Sequence, residues 1–299
     1  MSAQPVLISI PSAIQLERIL YATDFSRASE RALPAVSAIA RHYGSQVFLA
    51  HIWSARPYPI SVVGKPLPSD QEREARGLMA DLLIRPELEN LRTTVELEEG
   101  DPVERINECV QRHSIDLVII ATHGRTRMPH TLMGSVAEQL FRTLKCAVLT
   151  IGPNLDPRFT VSKTIKSILF PTDLSPESKA VFPYLASLAS EFDAEIVLLH
   201  VLPPETASNP EARKLAEPLR QEMQQMFAPQ LSPRCKAQYV LEFGETAPRI
   251  LSAADYYQSD LIGMGVREGN ELITRFRSTA AYRVVIGAEC PVLTVRGTL

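Results

Sequence analysis

Residues Ile115 to Glu138 read IDLVIIATHGRTRMPHTLMGSVAE, and their pattern decides how the rest of the chain is organised. Leu117 to Ile120 is a short, uninterrupted apolar run rich in β-branched side chains, the mark of a strand covered on both faces of a parallel sheet. In open α/β sheets the ligand crevice lies beyond the carboxyl ends of the strands. Here that end carries Ala121-Thr122-His123-Gly124. After nine intervening residues, Gly134 and Ser135 precede an amphipathic stretch, Val136-Ala137-Glu138-Gln139-Leu140-Phe141, that reads as a helix. Ser135 with Glu138 three residues on has the spacing of a capping box. A helix start offers unpaired N–H groups and a partial positive charge, which suits phosphate. Gly134 would let a phosphate approach the backbone, and Gly124 would offer its N–H from the opposite side. The same residues are also compatible with plain turns and an ordinary cap.

Upstream, Arg18 to Asp24 supplies a first strand that ends in Ala22-Thr23-Asp24, and Phe25-Ser26 opens a helix whose apolar face holds Ala32, Ala35, Ala38 and Ile39. Asp24 either points into the crevice beside Gly124 or, with Ser26, caps that helix. Gln46 to Trp53 is the second strand. Four prolines and Gly64 break the stretch from Ser54 to Asp70, which is expected to be a flap at the mouth of the crevice. A helix is expected from Asp70 to about Leu91, then an edge strand over TTVELEE, then a helix from Val103 to His113 started by Pro102. His113 is read as a solvated helix end. Cys146 to Ile151 is the fifth strand, and Gly152 to Pro157 the linker between domains.

Beyond the linker the pattern begins again. SILFPTDLS at Ser167 repeats RILYATDFS at Arg18, and EIVLLHVL at Glu195 repeats QVFLAHIW at Gln46, both 149 positions on. Asp260-Leu261 repeats Asp116-Leu117, and CPVLTV at Cys290 repeats CAVLTI at Cys146, both 144 positions on. The chain is therefore a tandem repeat, divided as residues 1–155 and 156–299, each half an α/β domain with a five-stranded parallel sheet flanked by helices. At the 144 spacing Ala121 corresponds to Gly265, His123 to Arg267, Gly124 to Glu268, Gly134 to Ser278, Ser135 to Thr279 and Glu138 to Tyr282. Glu268 puts a carboxylate where the first half can hold phosphate, so the second half reads as degenerate. Arg275 and Arg277 remain as basic loop residues that either attract an anion or are merely solvated. His51 and His200 occupy equivalent places, which argues for a structural role in both halves.

The spacing Ala121-x2-Gly124-x9-Gly134-Ser135 resembles the G-x2-G-x9-G-S/T nucleotide-binding signature of the universal stress protein family, with alanine in place of the first glycine. RILYATDFS and QVFLAHIW resemble that family's first and second strands. The resemblance implies two Rossmann-like domains of the adenine nucleotide alpha hydrolase-like type, in a tandem UspA-domain protein acting in stress response. It implies ATP, carried with Mg²⁺, as ligand of the first half. The residues it implicates are Ala22, Thr23, Asp24 and Ile52, with Ile120, Ala121, His123, Gly124, Arg125, Gly134, Ser135 and Val136. Of these, Ala22, Asp24 and Ile52 are expected at the base and ribose, and His123 at a phosphate or a backbone partner, unless it serves only to pack the loop. It further implies antiparallel pairing of Ala147 to Ile151 with Pro291 to Val295 as an intrachain pseudo-dimer, to which a homodimer can be added.

Other classes are less well supplied. Net charge is −3, divided as −1 and −2 between the halves, without the basic excess of a nucleic-acid binder. The N-terminus has no basic n-region before an apolar core, so neither a signal peptide nor a membrane partner is expected, and the cytoplasm is the default. Cys109, Cys146, Cys235 and Cys290 lack metal-like spacing and read as buried thiols. No Walker sequence, paired carboxylates or evident general base accompanies the loop, so a dedicated enzyme is not expected, although weak ATP hydrolysis is compatible. An ATP-independent scaffold and an adenylating enzyme are the alternatives.

Overall fold

The computed structural model describes residues 14–53, 68–123, 132–156, 165–208, 214, 216–266 and 277–296. They fall into two compact units, one of residues 15–156 with 277–296, the other of Ile14 with residues 165–266. The expected flap from Ser54 to Asp70 therefore lies almost wholly outside the described residues, as do Gly124, Arg125, Arg267, Glu268 and Arg275.

The first unit is an open sheet of β1 (Arg18–Ala22), β2 (Gln46–Trp53), β3 (Arg92–Glu99), β4 (Leu117–Ala121) and β5 (Ala147–Ile151). Their order is β3-β2-β1-β4-β5, and every neighbouring pair is parallel. Central positions are closed to solvent, with Leu20, Tyr21, Leu49, Val118 and Ile119 all at 0% exposure. β3 lies at the edge of this order, as its alternating charges require.

The flanking helices are α1 (Arg27–Glu30), α2 (Leu33–Tyr43), α3 (Pro68–Leu83), α4 (Pro102–Arg112) and α5 (Ser135–Thr143). Two boundaries differ from the sequence reading. The single helix expected after Ser26 is broken between α1 and α2 because Pro34 lacks an N–H and crowds the carbonyl four residues back. α3 stops at Leu83, and Pro86 opens a short 3₁₀ turn where helix was expected to continue to Leu91. α4 starts as expected from Pro102, with Asp101 as N-cap accepting from the N–H groups of Val103 and Glu104. His113 is not solvated: it caps α4 half-buried, its ring 4.5 Å from that of Phe48. Of the cysteines, Cys109 and Cys290 are buried while Cys146 and Cys235 are only partly so.

α10 (Ala280–Gly287) and β10 (Val292–Arg296), from the second repeat, group with this unit. β10 runs antiparallel to β5, pairing Val292 with Thr150, Leu293 with Leu149 and Thr294 with Val148. The Thr150 hydroxyl donates to Val292 O at 3.0 Å, and the Thr294 hydroxyl to Val148 O at 3.3 Å. Equivalent positions of the two repeats thus exchange reciprocal bonds.

The second unit orders β8 (Ala237–Phe243), β7 (Glu195–Leu202), β6 (Ser167–Pro171) and β9 (Leu261–Val266), all neighbours parallel. It carries α6 (Pro176–Ala180), α7 (Phe182–Phe192), α8 (Ala216–Phe227) and α9 (Thr246–Tyr256). Phe170, Phe182 and Phe227, each 0% exposed, pack with ring centroids 4.6 to 5.3 Å apart and anchor α7 and α8 to β6. The architecture is α/β, built on mostly parallel sheet flanked by helices. Among the described residues no helix is long and apolar enough to cross a membrane.

Candidate functional site

A cleft of about 380 Å³ opens at the carboxyl ends of β1, β2 and β4, within the ~300–1,000 Å³ range of small-ligand sites. Ala22, Thr23, Asp24, Ile52, Ile120, Ala121, His123, Gly134, Ser135 and Val136 all line it. The sequence reading did not name several other walls: Trp53 of β2, Gln71, Glu74 and Leu78 of α3, Pro102 and Ile106 of α4, and Thr122.

The turn after β1 is built by side chains. Asp24 Oδ1 accepts from the Ser26 N–H at 3.0 Å, and Ser26 Oγ caps α1 by accepting from the Ser29 N–H at 3.2 Å. Thr23 Oγ1 accepts from the Phe25 N–H at 2.9 Å and lies 3.0 Å from Ser29 Oγ. Phe25 takes φ of 58° there, a left-handed conformation that these bonds hold against its steric cost. His51 Nδ1 donates to Thr23 O at 2.8 Å, and His200 Nδ1 donates to Thr172 O at the same distance, in keeping with a structural role in both halves.

On the opposite wall, Thr122 fixes the start of α5. Its N–H donates to Ile151 O at 3.0 Å, its carbonyl accepts from Gly134 N–H at 2.8 Å, and its hydroxyl oxygen is 3.0 Å from His123 Nδ1. The N–H of Gly134 is thus taken by protein and is not available to a ligand. Those of Ser135, Val136 and Ala137, in the first turn of α5, meet no acceptor among the described residues. Nor does the indole N–H of Trp53. Gly134 has φ −60° and ψ 146°, which any residue adopts, and a Cβ there would meet only Thr122 O, at 3.5 Å. Neither backbone nor packing demands glycine, and its missing side chain leaves the cleft wall open.

The capping box is absent. The N-cap of α5 is Gly134, Ser135 is already inside the helix, and no side chain caps it. Glu138 is instead buried, its side chain 5% exposed, and bound by Arg277, whose Nη2 is 2.9 Å and Nε 3.1 Å from Oε2. This hydrogen bond, then the charge itself, raises the Arg277 pKa above its ordinary value. Arg277 is therefore part-exposed but held by this carboxylate rather than left for an anion. The contact has a reciprocal, since Tyr282 Oη accepts from the Met133 N–H at 3.1 Å. Met133 and Arg277 are equivalent in the repeat, as are Glu138 and Tyr282, so each pair closes from both sides around the end of the glycine loop.

Residues 15–152 and again 164–296 match the model of the universal stress protein family. The chain belongs to that family. It is 27% identical over 158 residues to the universal stress protein MJ0577 of Methanocaldococcus jannaschii, an overlap of 46% of this chain and 96% of that protein. To MJ0531 of the same organism it is 25% identical over 142 residues, 45% of this chain and 81% of that protein. A universal stress protein from Archaeoglobus fulgidus shares the fold across 94% of this chain and 97% of its own, with TM-score 0.74 at 16% identity.

In the second repeat of this tandem universal stress protein, helix backbone packs directly against the strand that matches β4. A Cβ at Gly265 would lie 1.9 Å from Glu177 O, and one at Gly263 2.3 Å from Leu185 Cδ2. Those glycines let α6 and α7 sit directly on β9. Gly265, which matches the first glycine of the nucleotide signature, is thus required by packing. The first repeat holds Ala121 and Ile119 at these places and stays open.

Proposed function

We propose that this universal stress protein binds ATP, carried with Mg²⁺, in the cleft of its first domain (1–155), and that its second domain (156–299) is a degenerate partner without a nucleotide site. The observation that carries this reading is the start of α5, where three N–H groups that meet no acceptor among the described residues stand at the cleft behind a glycine that the fold itself does not need. Such an array, with the partial positive charge of a helix N-terminus, suits phosphate oxygens. The described lining contains Asp24 and Glu74 but no lysine or arginine. A divalent cation arriving with the phosphates would offset that negative balance.

Ala22, Thr23, Asp24 and Ile52 take the nucleoside, in line with the family signature, and Leu78, Pro102 and Ile106 add the apolar wall that a flat base requires. Asp24 Oδ1 also accepts from the Ser26 N–H of its own turn, which fixes the carboxylate at the cleft for contact with a ribose. His123, oriented by Thr122, donates to a phosphate, a role that Gly124 and Arg125, next in the sequence, are proposed to share. Regulation by occupancy is proposed over catalysis, because the described lining lacks a paired set of acid and base. The compartment proposed is the cytoplasm.

Titration of ATP·Mg²⁺ into the full chain tests this. Saturation near one ATP per chain is expected, lost when Gly124→Glu copies what the second repeat carries at Glu268. Equal binding by the variant, or no binding by the wild type, overturns the assignment. The second outcome would favour the ATP-independent scaffold.

A further inference from the structure

At the opposite end of α4 from Pro102, three side chains of different chemistry converge. Cys109 and His113 stand one helical turn apart, and Glu96 reaches from the edge strand β3. The Cys109 sulfur, one ring nitrogen of His113 and one carboxylate oxygen of Glu96 all lie within 4.8 Å of one another. His113 Nε2 is 2.9 Å from Glu96 Oε1, yet it is enclosed and makes no hydrogen bond. This nitrogen is thus within ion-pair reach of the carboxylate without a well-directed hydrogen bond to it. Phe48 backs the imidazole on β2. Arg112 holds the other oxygen of Glu96, with Nη1 at 3.3 Å from Oε2, and also reaches Glu98 Oε1 at 2.8 Å. The remaining oxygen, Oε1, is left turned toward the histidine.

We propose that Glu96, Cys109 and His113 form a binding site for one Zn²⁺ ion, separate from the nucleotide cleft. Sulfur, imidazole and carboxylate together match the ligand preferences of zinc and are a poor set for Mg²⁺ or Ca²⁺. Metal–ligand bonds of ~2.0–2.3 Å place tetrahedral ligands about 3.5 Å apart, so small side-chain rotations close the cluster. Thiolate and carboxylate together balance the dication. In the metal-free protein, burial and then the neighbouring Glu96 push the Cys109 thiol up to about 12, against a smaller lowering by Arg112. The thiol is therefore protonated at neutral pH, and coordination releases one proton to solvent for each ion bound. Three protein ligands leave a fourth tetrahedral position for water or another donor. The second repeat again serves as a control, since Val240, Ala253 and Tyr257 stand at the equivalent places and offer no such set. A bound ion would tie β3 to α4, whose first turns line the cleft.

The test uses the full chain, stripped with a chelator, kept reduced and free of nucleotide, and titrated with Co²⁺ and then Zn²⁺. A thiolate-to-cobalt absorption saturating near one ion per chain is expected, bleached by Zn²⁺ and abolished in Cys109→Ser. His113→Ala and Glu96→Gln are expected to weaken binding at least as much as the ~10–100-fold typical of losing a supporting partner. Cys235→Ser should change nothing. Far-ultraviolet circular dichroism checks each variant. If Cys109→Ser fails to fold, Glu96→Gln decides, since it keeps the size of a side chain only 13% exposed. No absorption, retention of the band in Cys109→Ser, or full affinity in Glu96→Gln would overturn the site.

Discussion

The turns that follow β1 and β6 are nearly superimposable in their bonding. Asp24 and Asp173 each accept from a serine N–H at 3.0 Å, and Thr23 and Thr172 lie 3.0 and 2.9 Å from Ser29 and Ser178. One residue type deeper into the crevice, the repeats part. The first keeps Ala121, Thr122 and Gly134 around an open cleft, whereas the second has Gly265 and Val266 on β9, with the backbone of α6 pressed against it. A turn survives duplication because it holds strand to helix in any copy. A crevice needs a reason to stay empty, and without one the chain gains by packing into it.

The comparison breaks most readily at Gly265. Gly265→Ala drives a methyl group into a main-chain oxygen that cannot swing aside, and about 3 kcal/mol of destabilisation is expected in urea melts. Ala121→Gly, the reverse exchange in the first repeat, should cost less than about 1 kcal/mol. If the two costs are alike, the crevices are not filled differently.

Arg277→Ala removes the partner of a buried carboxylate. Because Arg277 is itself 42% exposed, the expected loss is about 2 kcal/mol, below the ~3–5 of a fully buried pair. Glu138→Gln in the same chain should restore part of it in a double-mutant cycle. Additive losses would mean that the two side chains do not act together.

Thr122→Val copies Val266 of the second repeat. The Thr122 backbone bonds remain, but the hydroxyl's bond to Ile151 O and its contact with His123 are lost, so about 1 kcal/mol of stability should go. Hydrogen exchange at the start of α5 would report the change, and an unaltered rate would contradict the bracing role given to that threonine.

The smallest effect concerns the thiols. Burial first raises both Cys109 and Cys146, to about 12 and about 11. Both stay protonated at pH 8, and a thiol reagent should modify them only on unfolding. Rapid labelling of either in the folded protein would show that its surroundings are more open than described.

The succession of strands and helices and the repeat offset were legible because they rest on local signals, β-branched runs, strand-end Thr-Asp and glycines flanking a helix start, whereas the order of strands in the sheet was not read from the sequence. The errors share one cause. Glu138 has the spacing of a capping box, but Arg277 competes for it from 139 positions away. His113 sits at a helix end like many solvated histidines, until β2 and β3 bring Phe48 and Glu96 against it. Thr122 carries no motif, and its importance lies in bonds to Ile151 and Gly134 that only the folded sheet creates. Gly265 reads as a remnant of a nucleotide signature, while the fold requires it for helix packing.

The most direct test of the central claim is Gly134→Asp, assayed for both melting temperature and ATP titration. The backbone at Gly134 accepts any residue, and aspartate is a better N-cap than glycine by a few tenths of a kcal/mol. The variant should therefore fold at least as stably as the wild type, while its carboxylate beside the first-turn N–H groups of α5 repels phosphate and ATP binding is lost. A stable variant that binds ATP with undiminished affinity would show that the start of α5 is not where the nucleotide sits.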